Sequence, residues 1–161
     1  MASTIKASTL TVTIKEDIKL NGVNHGGEQT LRIAGVNEVF KRIVSCPADV
    51  DTTVVTFDSG VNIQDGSLML RKAVYLRITN LDASNSVNMS LQISADSDGE
   101  PDDSATIFLE PGRSFIMGTL QDGIAVEDDD ANIETTLVDL ESVLIDPVSN
   151  EVDIEVFVAS T

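Results

Sequence analysis

Apolar and polar residues alternate with a period of two along most of this chain of 161 residues. Clear examples are residues 9–15, 74–79 and 89–94. Successive side chains of a β-strand point to opposite faces, so this alternation is typical of half-buried strands. Val, Ile and Thr supply more than a quarter of the chain, and these β-branched residues suit strands better than helices. The sequence therefore predicts an all-β fold.

Turn signals divide the alternating segments into roughly eight to ten short strands. Asn21-Gly22 and Pro111-Gly112 are two such signals, and residues 146–150 are expected to form a hairpin loop before the last strand. Many short strands with frequent turns favour an antiparallel β-sandwich, either jelly-roll or Ig-like. We expect a single domain, with residues 10–161 forming the sandwich and residues 1–9 forming an extended N-terminal arm that orders against a neighbouring molecule.

One segment fits two kinds of secondary structure. In residues 131–145, four apolar side chains recur at helical spacing, yet Thr135-Thr136 and the β-branched content favour a strand. The four are Ile133, Leu137, Leu140 and Leu144. We predict a strand here.

The aromatic residues divide into core candidates and one surface candidate. All five Phe residues, 40, 57, 108, 115 and 157, lie in predicted strands and are expected in the core. Tyr75 falls on the face opposite Val74, Leu76 and Ile78, so it is expected to pack on a second layer or a neighbouring subunit. Arg77 and Lys72 are expected beside Tyr75, as a mixed docking surface or an ordinary solvated face.

Charge is distributed very unevenly between the two halves of the sequence. Residues 1–80 hold 8 acidic and 9 basic residues, whereas residues 81–161 hold 19 acidic residues and one base, Arg113. The whole chain has a formal net charge of −17. Nucleic acids and anionic membranes are bound by clustered Lys and Arg, so we expect neither as a partner. No apolar stretch resembles a signal peptide or a membrane span.

Candidate catalytic residues are few. His25 is the only histidine and Cys46 the only cysteine. His25 lies in a predicted turn, and Cys46 ends an apolar segment where a buried, unreactive thiol is expected. The chain contains no Gly-x-Ser-x-Gly elbow, phosphate-binding loop or zinc-ligand spacing. We therefore predict that it is not an enzyme and has no cofactor.

Two acidic clusters are the main positive chemical signal. Residues 96–103 place Asp96, Asp98 and Glu100 at alternate positions, which could offer oxygen ligands to calcium. An EF-hand loop would need Glu at its twelfth position, where this chain has Ile107. The second cluster is residues 127–130. Runs of like charge are usually solvated loops, so no metal site is predicted at either cluster.

Four segments carry a resemblance to a known class of protein. They are residues 10–22 (LTVTIKEDIKLNG), 36–44 (VNEVFKRIV), 75–82 (YLRITNLD) and 152–159 (VDIEVFVA). Together they resemble a small β-rich virion structural protein that recurs among tailed bacteriophages, notably marine ones. The acidic clusters at 96–103 and 127–130 have no counterpart in this resemblance.

The resemblance implies a particle component present in many copies. The expected function is capsid decoration, in which the protein binds the major capsid protein and other copies of itself. The alternatives are a tail-tube or head-to-tail neck component, and a receptor- or glycan-binding appendage. The expected location is the virion, after synthesis in the host cytoplasm.

Overall fold

The computed structural model describes residues 6–58, 67–93, 103–126 and 133–161. Thirteen strands lie in these ranges: β1 (Ser8–Glu16), β2 (Lys19–Leu20), β3 (Val23–Asn24), β4 (Gly27–Val36), β5 (Glu38–Cys46), β6 (Thr52–Asp58), β7 (Leu68–Met69), β8 (Ala73–Asn80), β9 (Val87–Ile93), β10 (Asp103–Leu109), β11 (Ser114–Met117), β12 (Leu140–Pro147) and β13 (Val152–Ser160). The only helical segment described is a 3-10 turn at Leu70–Lys72. None of the described helical structure has the length or apolarity to cross a membrane.

The strands form two larger sheets and a hairpin. The five-stranded sheet has the order β10-β9-β12-β6-β7, and the four-stranded sheet has the order β11-β8-β13-β5. Strands β1 and β4 pair with each other in antiparallel register from Ser8↔Val36 to Glu16↔Gly27. Strands β2 and β3 continue this ribbon at its far end as a short pair. We call residues 8–36 the hairpin and residues 18–24 its tip.

The main core fills the space between the two larger sheets. Alternate residues of β8, β9, β12 and β13 are fully buried, as their period-two pattern requires. The connections add Leu70 and Leu120 to the same cluster. A second, smaller cluster lies on the outer face of the four-stranded sheet, where the hairpin packs against it.

The prediction of an all-β sandwich is confirmed, because two sheets of mostly antiparallel strands enclose one main core. Among the described strands, β6 and β7 form a short parallel exception. In segment 131–145, residues 133–145 contain no helix, and β12 begins at Leu140.

The expected hairpin loop at residues 146–150 is wrong. Strand β12 belongs to the five-stranded sheet and β13 to the four-stranded sheet, so this connection passes from one sheet to the other. A turn signal marks where the chain reverses, but it does not determine which strand the returning segment pairs with.

The expectation that all five Phe residues lie in the core is wrong for Phe108. Its side chain is 59% exposed. It pairs with Asn88, whose neighbours Val87 and Met89 are buried, so Phe108 lies on the outer face of the five-stranded sheet. Phe57 is buried, and Phe40, Phe115 and Phe157 are partly buried against the two clusters.

The N-terminal boundary of the ordered strands lies slightly earlier than the expected arm implies. Strand β1 begins at Ser8 and takes the last two residues of the segment 1–9. Residues 6 and 7 precede it without regular structure, and residues 1–5 lie outside the described ranges. The hairpin is a separate two-stranded sheet rather than part of either sandwich layer.

Candidate protein-binding surface

Two short sequence signals give the hairpin its shape. Asn21 and Gly22 both have positive φ angles, of 50° and 83°, which suits the tight turn between β2 and β3. Gly26 follows the tip, where the chain returns to the long strands. It approaches the backbone of Glu16 so closely that an added Cβ would lie 2.1 Å from the Glu16 carbonyl oxygen. The His25 backbone N–H donates to the Ile18 carbonyl at 3.0 Å and joins the tip to the long strands.

The hairpin has one apolar and one polar face. Residues that pair directly across an antiparallel ribbon share a face. Leu10 pairs with Ile33 and Val12 with Leu31. The alternate pairs, Thr11 with Arg32 and Thr13 with Thr30, form the polar face. The ribbon is therefore amphipathic across its width.

The half of the hairpin nearest the sandwich packs its apolar face against the four-stranded sheet. Leu10, Val12 and Ile33 contact a cluster in which Val36, Tyr75 and Ala159 are buried. Tyr75 is only 3% exposed, and its ring meets Phe157 edge-to-face with centroids 5.9 Å apart. Burial raises the pKa of the Tyr75 hydroxyl. The expectation that Tyr75 packs on a second layer is confirmed, and that layer is the chain's own hairpin.

A group of charged side chains lies beside this cluster. The Glu155 carboxylate accepts from Lys41 Nζ at 2.9 Å and from the Arg77 guanidinium at 2.6 Å. The hydrogen bond from Lys41 and the contact with Arg77 lower the pKa of Glu155 below its usual value. The Arg77 guanidinium also lies 5.8 Å from the centre of the Phe157 ring. The positive charge of Arg77 is therefore largely neutralised by contacts within the chain.

Lys72 does not share the strand face of Arg77. It ends the 3-10 turn before β8 and is exposed. The expectation that Tyr75, Arg77 and Lys72 share one strand face is therefore wrong for Lys72, which lies outside the strand. Tyr75 is packed under the hairpin and Arg77 is paired with Glu155.

The half of the hairpin furthest from the sandwich keeps the apolar pattern but leaves it uncovered. Leu20 and Val23, which pair across the tip, are 55% and 57% exposed. Ile14 and Ile18 are each nearly half exposed, as is Leu31 at the border of the packed half, where it pairs with Val12. Within the described ranges, β2 and β3 pair only with each other. An exposed apolar patch of this kind on a folded domain is typical of a protein-binding surface.

An open groove runs between β1 and the four-stranded sheet. Its volume is about 370 Å³. Its apolar walls are Leu10, Val12, Ile14, Tyr75, Ile116 and Phe157. Ile116 is exposed at 42%, and β1 has a pairing partner on one edge only, β4, among the described strands. The groove thus offers both apolar contacts and free backbone hydrogen-bonding groups.

Charge is separated between the two sheets. The eight Lys and Arg residues of the strands and the 3-10 turn all lie in the hairpin, the turn or the four-stranded sheet. The described strands of the five-stranded sheet carry four acidic residues and no base. The four are Asp58, Asp103, Glu141 and Asp146. The acidic bias of the sequence therefore becomes an acidic sheet.

His25 and Cys46 lie in different parts of the fold. His25 is exposed at the base of the tip. Cys46 is fully buried in the main core, and burial raises the pKa of its thiol to about 11. The interpretation of Cys46 as a buried thiol is confirmed.

The acidic clusters lie almost wholly outside the described residues. Asp96, Asp98 and Glu100 are not described, nor are residues 127–130. Among the residues that are described, no three His, Cys, Asp or Glu side chains come together as metal ligands would. Asp82 holds a turn instead: it accepts from the backbone N–H groups of Ser84 and Asn85, each at 2.7 Å, which lowers the pKa of its carboxyl.

Comparisons with protein-family models, with curated proteins and with solved structures find no match to this chain. The most distinctive features of its surface are the exposed apolar tip and the groove. Leu20 and Val23 flank the Asn21-Gly22 turn in the sequence. Apolar residues on each side of a two-residue turn are the sequence signal that could have identified this tip.

Proposed function

We propose that this chain is a virion structural protein that decorates the capsid by binding other particle subunits. The observation that carries the proposal is the amphipathic hairpin, whose outer half leaves an apolar face exposed. Burying such a face against another protein removes apolar surface from water and stabilises the complex. The sequence segments that resemble phage virion proteins include residues 10–22, which form most of β1 and most of the tip.

The charge distribution supports a protein partner rather than DNA. A net charge of −17 opposes close approach to a phosphate backbone. The basic residues lie in the hairpin, the four-stranded sheet and their connections, so the side that carries the apolar tip is also the less acidic side. A decoration protein with this arrangement binds through that side and leaves the acidic sheet in solvent.

A tail-tube or neck component is the second candidate. The acidic, base-free strands of the five-stranded sheet favour it, because an acidic lumen does not retain passing DNA by electrostatic attraction.

The experiment uses purified phage particles from a genome that encodes this chain. Quantitative mass spectrometry gives its copy number relative to the major capsid protein, and antibody-gold labelling gives its position. Decoration predicts on the order of hundreds of copies spread over the head. Labelling confined to the tail or neck would support the second candidate, and absence from the particles would overturn both.

The residue-level test is Leu20→Asp in the tip, with Leu81→Asp as the matched control. Both leucines are exposed, at 55% and 45%, but Leu81 lies outside the hairpin. We expect Leu20→Asp to reduce incorporation into particles and Leu81→Asp to leave it unchanged. Equal incorporation of both variants would show that the hairpin is not the contact surface.

A further inference from the structure

We propose that the tip of the hairpin of one copy inserts into the groove of a second copy. This inference rests on the proposed function, since it names the partner of the same surface. The contact joins the cross-strand pair Leu20 and Val23 to the groove between β1 and the four-stranded sheet.

The chain's own packing indicates what the apolar face of the hairpin fits. Its inner half already lies on Tyr75, Ala159 and Phe157, on the outer face of the four-stranded sheet. Tyr75 and Phe157 also line the groove, which extends the same surface toward Ile116 on β11. The groove is therefore continuous with an existing interface for this hairpin.

A chain cannot fill this groove with its own tip. Residues 10–14 of β1 form one wall of the groove. The tip continues the same ribbon beyond Glu16, and the backbone bond from His25 to Ile18 keeps it in line with β1 and β4. To reach the groove, the tip would have to fold back across its own strand and break that pairing. A second copy carries the same tip on a separate ribbon, without this restriction.

The charges of the two surfaces are compatible. The tip and the residue before it, residues 17–24, contain one acid, Asp17, and one base, Lys19, so their formal charges cancel. In the groove, Arg77 is paired with Glu155 at 2.6 Å. The tip segment has no net charge and the charge of Arg77 is neutralised by Glu155, so no net charge opposes the apolar burial.

The free edge of β1 adds a second kind of contact. Strand β1 uses one edge to pair with β4, and no described strand pairs with the other. A strand of the incoming tip can form backbone hydrogen bonds to that edge, as in other complexes formed by strand addition. Backbone hydrogen bonds to β1 and apolar side-chain contacts in the groove then both stabilise the complex.

The test uses two single variants, each of which removes one half of the contact. Leu20→Asp changes the tip and leaves the groove, whereas Ile116→Asp changes the groove and leaves the tip. Both side chains are exposed, at 55% and 42%, so circular dichroism and thermal unfolding should match the wild type. Because both variants introduce Asp, no attraction between the introduced charges can join them.

Sedimentation velocity on the purified full-length chain, over a range of concentrations, measures the association. We expect the average mass of the wild type to rise with concentration. Each variant alone should associate at least about tenfold more weakly than the wild type. A mixture of the two variants should form a 1:1 complex, because the intact tip of Ile116→Asp enters the intact groove of Leu20→Asp. The control Leu81→Asp should behave as the wild type.

A wild type that stays monomeric throughout, or a mixture that fails to form the 1:1 complex, would overturn this inference. These results are separate from the particle experiment, because no particle is present. If Leu20→Asp is lost from particles while the wild type is monomeric in solution, the structural function stands and the tip binds a different subunit. If the chain is absent from particles but the two variants still form the 1:1 complex, the proposed function fails and the contact between tip and groove stands.

Discussion

At the scale of single residues, Glu155 joins three strands of the four-stranded sheet. It lies on β13, between Lys41 on β5 and Arg77 on β8. Its side chain is 14% exposed, so the carboxylate depends on these two cations more than on water. Removing the charge leaves Arg77 without its main partner in a partly buried position.

We expect Glu155→Gln to lower the free energy of unfolding by about 1–2 kcal/mol at pH 7. The difference from wild type should shrink as the pH falls. The folded-state pKa of Glu155 is lowered, so its contribution is complete above the unfolded-state pKa and disappears as pH falls through the folded-state pKa. Urea unfolding at several pH values measures this.

The control for that series is Glu28→Gln, an exposed carboxylate on the polar face of the hairpin. It should change stability by less than about 0.5 kcal/mol at any pH. A constant difference between wild type and Glu155→Gln from pH 7 to pH 3 would contradict the pairing.

Cys46 should be unreactive while the protein is folded. With a thiol pKa of about 11, about one molecule in a thousand carries the thiolate at pH 8, and the sulfur is fully buried. We expect Ellman's reagent to react with Cys46 only as fast as the protein unfolds. Fast labelling in buffer, at the rate seen in denaturant, would show that the β5 end of the core opens readily.

At the scale of elements, the hairpin depends on a glycine where its tip meets its long strands. An alanine Cβ at Gly26 would lie 2.1 Å from the Glu16 carbonyl oxygen, so β1 and β4 would have to separate there. We expect Gly26→Ala to increase hydrogen exchange at the amides of β1 to β4 while the sandwich strands stay protected.

Gly118→Ala is the matched control for this element, because an added Cβ there has no atom within 4 Å. It should leave the exchange pattern unchanged. Loss of protection across both larger sheets in Gly26→Ala would mean that the hairpin and the sandwich unfold together, contrary to their separate sheets and clusters.

The elements also show how far sequence reasoning extends. Alternation located the strands, and Asn21-Gly22 located the hairpin turn, because both are local properties of the backbone. Pairing is not local: β13 lies between β5 and β8, more than 70 residues away in sequence. The exposure of Phe108 could not be predicted either, because alternation separates the two faces of a strand but does not show which face is buried. The groove requires both the hairpin and β11, so no single segment could reveal it.

At the scale of the whole molecule, charge repulsion opposes folding. A net charge of −17 is held in a compact sandwich whose five-stranded sheet has no base in its described strands. We expect the thermal midpoint to rise by a few degrees between about 20 and about 300 mM NaCl, because salt screens this repulsion. Differential scanning calorimetry measures the change.

Calcium chloride at matched ionic strength distinguishes screening from specific binding. We expect no further rise with calcium, in keeping with the prediction that residues 96–103 and 127–130 are solvated loops. A rise that Asp98→Ala abolishes would establish a calcium site and contradict that prediction.

The position of β13 has a consequence for how the protein is made. This strand lies between β5 and β8 and pairs with both, yet it follows both of them in the chain. While the ribosome is still translating residues before Val152, β5 and β8 have no strand between them, and both present free edges. Such edges pair readily with other nascent chains. Completion of the four-stranded sheet therefore awaits translation of β13, and the interval before it is when this protein most needs protection by a chaperone.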